Sequence, residues 1–345
     1  MKTCCLFLFV SAMLAADLAS AQSLAPASVF ESNEVFAITL SANFEKLLSD
    51  VGEERSEHEA VITYPYEGRE LDLAVKLKTR GKFRRNPENC NFPPLRINFS
   101  KKTSTDTIFR GLDKIKLVTH CQNNNEDYEQ YVVQEYLLYR VYNQLSNASF
   151  RVRLLQITYT DSASKYEDMT TVGFLIEDED VMAARLDAEV FENEDLKRHK
   201  VNYEQLTLLH LFEYMIGNID WSVPIQHNMK LIGKTPKSTM MPVPYDFDHA
   251  GVIDAAYADE APKIGTASLR YQLFREFCRD KKELQSYFDL FNDRKASIFS
   301  LYQNQQALSE ASRHNALRHF ERFYRTINDP SAAEKTFINP CQENG

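Results

Sequence analysis

Between Ala60 and Arg80 apolar side chains fall at every second position, and this alternation limits the fold more than any other feature of the chain. Val61-Ile62-Thr63-Tyr64 leads into a turn at Glu67-Gly68-Arg69. Leu71, Leu73, Val75 and Leu77 then alternate with Asp72, Ala74, Lys76 and Lys78. A period of two belongs to a strand with one face in a core and the other outside it. Further strands are expected over 95–99 and 114–119, where Ile115 and Leu117 oppose Lys114 and Lys116. Residues 152–159 and 171–176 read as a hairpin around a polar turn at 161–168.

The pattern changes period elsewhere. Phe44 to Val51 reads as a short helical stretch after a weak apolar alternation. Residues 127–145 carry Val133, Leu137 and Val141 on one helical stripe, broadened by Val132 and Tyr136. Residues 203–216 form a second strong helix that stops at Gly217, a normal C-terminal signal. A short hairpin is expected over 229–232 and 240–244, followed by amphipathic helix over 268–326. These elements predict an α+β protein of two lobes with a cleft between them, the usual place for a ligand. Residues 22–177 form the N-lobe, an antiparallel sheet with one long helix; residues 178–345 form a mainly helical C-lobe.

The first 21 residues read as a cleavable secretory signal. Lys2 precedes an apolar run from Cys4 to Ala16, and Ala19-Ser20-Ala21 supplies a small-residue cleavage site. The run is too short to span a bilayer, and no later segment is long enough, so no membrane span is expected in the mature chain. Lys2 and Asp17 cancel, so the net charge of −9 survives cleavage. An acidic chain without a long basic run argues against nucleic-acid binding. Four cysteines remain, Cys90, Cys121, Cys278 and Cys341. An even number in an exported chain implies two disulfides, and sequence locality favours Cys90–Cys121 and Cys278–Cys341. The expected location is secreted, periplasmic or cell-surface.

Chemistry concentrates on two short connections. Gly217-Asn218-Ile219-Asp220-Trp221 and His227-Asn228 follow the second helix, and Tyr245-Asp246-Phe247-Asp248-His249 follows an apolar strand. Asp and Asn oxygens are hard ligands suited to Mg²⁺ or Mn²⁺, and a separate Asp can serve as a base. Asn218 and Asp220 read equally well as turn caps. Asp246 and Asp248 lie two apart, so both face one side if the strand persists. Two adjacent buried acids repel, which favours a cation or a basic partner between them. His227 and His249 match no zinc spacing and read as hydrogen-bonding or packing residues; Trp221 reads as cleft wall or core.

Cations complete the pattern. Arg80-Gly81-Lys82-Phe83-Arg84-Arg85 joins two strands, and clustered cations suit phosphate oxygens. Arg80 and Arg96 sit at strand ends and are expected to point into a cleft. Lys82, Arg84 and Arg85 read at least as well as a solvated loop. Lys116 lies on a strand before the first long helix, which carries Glu135. A Lys that holds nucleotide phosphates and pairs with a helix Glu is the kinase arrangement, and Glu135 reads equally as a solvent-facing acid.

With these residues in view, the chain resembles the spore-coat protein H (CotH) kinase family of secreted or surface-associated atypical kinases. The resemblance runs from Leu73 to Gly251. It rests on Arg80-Gly81, Pro94-Leu95-Arg96-Ile97-Asn98-Phe99, the helix at Tyr131 to Leu145, Val172-Gly173-Phe174-Leu175-Ile176-Glu177, Gly217-Asn218-Ile219-Asp220, His227-Asn228 and Pro244-Tyr245-Asp246-Phe247-Asp248. It implies a two-lobed protein-kinase-like fold with ATP as cofactor and adenine beside Ile176 and Glu177. It implies Asp220 as catalytic carboxylate, Asp246 and Asn228 as ligands of Mg²⁺ or Mn²⁺, Asp248 in support, and a protein Ser or Thr as acceptor. The family usually carries Lys near Phe92-Pro93-Pro94, where this chain has none, so Arg96 or Lys116 takes that place. The segment from Asp220 to Asn228 is also longer than a protein-kinase catalytic loop. Two alternatives use the same residues: an inactive pseudokinase that binds or assembles, and a nucleotidyl transferase that moves AMP.

Overall fold

Seven strands close into a barrel with one parallel pairing, and that mixed closure overturns the expected two-lobed kinase-like fold with an antiparallel-sheet N-lobe. The computed structural model describes residues 28–192, 200–260 and 279–338. β1 (Phe36–Ala42), β2 (His58–Tyr66), β3 (Arg69–Thr79), β4 (Leu95–Phe99) and β5 (Lys114–Val118) are followed by β6 (Val152–Asp161) and β7 (Met169–Ile176). Their order around the barrel is β1-β2-β3-β4-β5-β7-β6. All neighbours are antiparallel except β1 and β6, which pair in parallel with Thr39 opposite Thr158. That single long-range pairing removes both sheet edges, which would otherwise expose a row of unpaired N–H and C=O groups.

The alternation seen in the sequence decides what lies inside. Ile62, Leu73, Val75, Leu77, Leu95, Ile97, Ile115, Leu117, Leu155 and Ile157 are buried in one barrel core. The intervening Lys76, Lys78, Arg96, Asn98, Lys114 and Lys116 face outward. Gly173 on β7 is required by close approach, because a Cβ there would meet Ile157 Cδ1 and the Val118 carbonyl at 2.8 Å.

A second core lies outside the barrel wall. Helix α2 (Glu126–Leu145) covers the outer face of β6 and β7, with Tyr136 and Tyr139 against Phe174. The same core continues through α4 (Tyr203–Ile216), α5 (Lys281–Gln303) and α6 (Glu310–Asn328). α1 (Phe44–Ser49) and α3 (Glu179–Arg185) are short. The second half is not purely helical: β8 (Glu189–Phe191), β9 (Met229–Gly233) and β10 (Met241–Pro244) form a three-stranded sheet.

The Cys90–Cys121 disulfide forms as expected, with Cα atoms 4.7 Å apart. On the loop-entropy picture a 31-residue separation stabilises by roughly 3–4 kcal/mol. Cys278, Cys341 and the signal-like residues 1–21 lie outside the described residues. Among the described residues no helix is long and apolar enough to cross a membrane.

Candidate functional site

α4 is buried on nearly every face, so its C-terminus fixes the first loop rigidly. Gly217 ends it in the left-handed conformation (φ 70°), and its N–H returns to the Glu213 and Tyr214 carbonyls. A Cβ at Gly217 would come within 3.3 Å of His319 Cε1, so the position favours glycine on both counts. The Asn218 side chain then accepts the Asp220 N–H (3.0 Å). Asn218 therefore caps the turn and leaves the Asp220 carboxylate pointing outward. Trp221 is buried, and its indole N–H donates to the Asn218 carbonyl. It belongs to the core.

Asp220 is gripped by two neighbours from the end of the same loop. His227 Nε2 lies 2.8 Å from Oδ1, and Asn228 Nδ2 donates to Oδ2 (3.1 Å) and to the Asp220 carbonyl (2.7 Å). An ionised carboxylate only accepts, so the imidazole carries its proton on Nε2. Because the Asn228 nitrogen is occupied, its Oδ1 is the atom left for a cation.

The second loop is pinned from the helix above it. β10 ends at Pro244, and Asp246 adopts a left-handed conformation (φ 64°) while its N–H donates to Tyr139 Oη (2.8 Å). Phe247 is fully buried, 4.7 Å from the Tyr139 ring and 5.3 Å from that of Phe212. Asp246 and Asp248 thus share one side, as the sequence suggests, but through a backbone kink around a buried Phe and not through a continuing strand.

Asp220, Asn228, Asp246, Asp248 and Arg80 line one cavity of about 240 Å³, together with Arg84. Glu135 reaches it from α2, and single oxygens of Glu135, Asp246 and Asp248 lie within 4.8 Å of one another. Into this cluster projects Arg84, with its guanidinium 2.5 Å from Asp248, 3.7 Å from Asp246 and 3.8 Å from Glu135. Arg84 is only 12% exposed, so it is not the solvated loop residue that its basic neighbours suggest. Burial works against its charge, but Asp248, Tyr257, Glu135 and Asp246 outweigh burial and hold it protonated. Burial pushes the Glu135 carboxyl well above the carboxylate range, against the pull of Arg84 and with Asp248 and Asp246 adding to the rise.

The residues fit a divalent cation. The ligand set is hard oxygen, Glu135 Oε1 is buried without a hydrogen-bond partner, and a cation there would favour the charged form of the Glu135 carboxyl that burial otherwise disfavours.

Other expected roles are redistributed. Lys116 does not pair with Glu135. It faces Glu179 (3.6 Å), which it shares with Lys230 (3.2 Å), and lies over the Tyr245 ring. The reason is placement: α3 begins directly after β7 and delivers Glu179 to the outer barrel face, whereas Glu135 turns toward Arg84. Burial, with Arg80 nearby, lowers the Lys116 pKa. Glu177 is fully buried and committed to Arg151 (2.6 Å) and Arg185 (3.1 Å), and its N–H is bonded to the Arg151 carbonyl. Its side chain and N–H brace the chain against Arg151 and Arg185. Arg96 lies outside this cavity, on another of about 510 Å³. His249 packs near Tyr257, with Nε2 3.8 Å from Asp248.

No protein-family model matches the chain, and a search of curated proteins finds no match.

Proposed function

We propose that the protein is an exported, metal-dependent phosphotransferase using ATP, with a protein hydroxyl as acceptor. The observation that carries this reading is the meeting of Asp220, Asn228, Asp246 and Asp248, from two connections, in one cavity walled by Arg80 and Arg84. The resemblance to the CotH kinase family supports the same assignment and points to Ser or Thr. The closed barrel is no obstacle, because phosphoryl transfer depends on the placement of charges and not on one fold. The disulfide is compatible with export.

Asp246, Asn228 and Glu135 would hold Mg²⁺ or Mn²⁺, which when bound neutralises phosphate charge. Asp220 orients the acceptor hydroxyl and takes its proton as the oxygen attacks the γ-phosphorus. The bond from that phosphorus to the β–γ bridging oxygen breaks, and ADP leaves with the electron pair. Arg80 and Arg84 offer donors to the phosphate oxygens. Incubation of the mature protein with labelled ATP, Mn²⁺ and a Ser-containing acceptor is expected to transfer label, and Asp246→Ala to lose at least 99% of it, on the order of 10²-fold. Equal labelling by that variant rejects the reading. Intact mass separates a phosphoryl adduct from an AMP adduct.

A second reading, a pseudokinase, is favoured by the position of Arg84 inside the acid cluster. The two make opposite predictions for Arg84→Ala. Removal leaves three clustered acids, and without metal the variant should lose about 3–5 kcal/mol of stability. If Arg84 substitutes for a cation, Mn²⁺ raises the melting temperature of the variant and not of the wild type. If Arg84 binds phosphate beside a metal, ATP with Mn²⁺ raises that of the wild type, and the gain shrinks in the variant.

A further inference from the structure

Three cations stand directly opposite one another on the outer face of the barrel. Lys78 on β3 is in register with Arg96 on β4, and Arg96 with Lys116 on β5. Like charges opposed across antiparallel strands are destabilising. Lys116 is partly compensated by Glu179, which also serves Lys230. Among the described residues Lys78 and Arg96 have no ion-pair partner, and Arg96 Nε is shielded from water without a hydrogen bond. Two residues along β3 the same face reaches Arg80 in the candidate cavity; two residues the other way it reaches Lys76, with Lys114 at the matching place on β5.

The acids near this face offset little of its charge. Glu59 meets Lys76 at 3.5 Å, but both are largely exposed, so the pair contributes little. Glu57 accepts from Asn98. Asp113 lines the outer end beside Lys114, and Lys114 acts on the half-buried Asp178. On a chain of net charge −9 the strip is therefore a local reversal of sign that leads to the cavity.

We propose that this strip, running from beside Arg80 through Lys78, Arg96 and Lys116 to Lys76 and Lys114, binds an acidic segment of the acceptor protein and guides its hydroxyl to Asp220. The inference rests on the phosphotransferase reading. A nucleotide carries its charge at one end, which Arg80 and Arg84 already face. The strip continues for about 13 Å, the length of four extended residues, and matches a peptide with successive carboxylates.

The test is fluorescence anisotropy with a labelled ten-residue Glu-rich peptide containing one Ser, at low and at physiological salt. Wild type is expected to bind, more weakly as salt screens the contacts. The double variant Lys78→Glu/Arg96→Glu should bind at least tenfold more weakly, with Lys78→Gln/Arg96→Gln intermediate, and both should keep the melting-temperature rise given by ATP with Mn²⁺. No binding by wild type, unchanged binding by either double variant, or tighter binding of a ten-nucleotide single strand overturns the proposal. So does loss of the nucleotide response in the Gln variant, which would place the strip on the donor. The binding is read without turnover. Strip-dependent peptide binding with no phosphorylation therefore sinks the enzyme and keeps the strip, whereas phosphorylation indifferent to the strip does the reverse.

Discussion

On the phosphotransferase reading, replacing Asp220 by Asn is expected to lower phosphoryl transfer by about 10²- to 10⁴-fold, the range for a positioned general base, and to leave ATP affinity nearly unchanged. The substitution keeps the shape of the side chain and removes its ability to take a proton. In the variant the amide oxygen keeps the bond from Asn228 and its NH2 meets His227, whose neutral ring accepts on Nε2 once its proton moves to Nδ1, so the expected loss is chemical and not a collapse of the loop. Single-turnover rates with saturating acceptor, alongside melting-temperature shifts with ATP and Mn²⁺, separate the two effects. A kcat within threefold of wild type would remove Asp220 from the reaction. Loss of the nucleotide response together with the rate would instead make Asp220 a ligand of the donor complex.

Much of the site was legible because its residues are carried by elements with strong local signals. The period-two pattern of β3 and the apolar helix ending at Gly217 fix where Arg80 and Asp220 emerge, and Asp246 follows an apolar strand. Each of these depends on neighbours within a few residues. The barrel closure does not: β1 joins β6 through a pairing such as Thr39 with Thr158, and nothing in the weak alternation of β1 names its partner. The two-lobed fold with an antiparallel-sheet N-lobe, which the local patterns predict, therefore gives way to a closed mixed barrel. Arg84 was hidden for a related reason. It has the same chemistry as Lys82 and Arg85, yet Lys82 is exposed, Arg85 meets the exposed Glu53, and only Arg84 enters the acid cluster. Glu177 is placed beside adenine by the resemblance alone; the role its side chain has in the fold comes from Arg151 and Arg185, which no local pattern names. A cation and an acid can each be recognised from sequence, but which pairs with which is set by packing.

A large pH-dependent effect on stability is expected at a buried acid that the proposed reaction does not use. Glu213 lies on α4, one turn before the loop that carries Asp220, and it is 1% exposed. Burial pushes its carboxyl up to about 8; Asn218 offsets part of this, and the charge of Asp220 adds to it. Neither carboxylate oxygen has a well-aligned hydrogen-bond partner among the described residues. The sign follows directly. The folded pKa lies above the unfolded value of 4.5, so the native state binds more protons than the unfolded chain between the two. The contribution of this group is therefore most favourable below about pH 4.5 and is lost as pH rises to about 8. A difference of that size corresponds to roughly 4–5 kcal/mol at its limit and about 3 kcal/mol near neutrality. Glu213→Gln keeps the volume and removes the charge. Denaturant titrations from pH 4.5 to 9 should show the variant gaining on wild type by that margin, with the difference nearly flat above pH 8. Taking the difference cancels the titration of other groups, such as His319, whose pKa burial lowers to about 4. A constant difference across the range would mean that Glu213 titrates alike in the folded and unfolded chain, and the pH-sensitive link beneath the Asp220 loop would not exist; a difference still climbing steeply above pH 8 would mean that the carboxyl stays protonated in the fold.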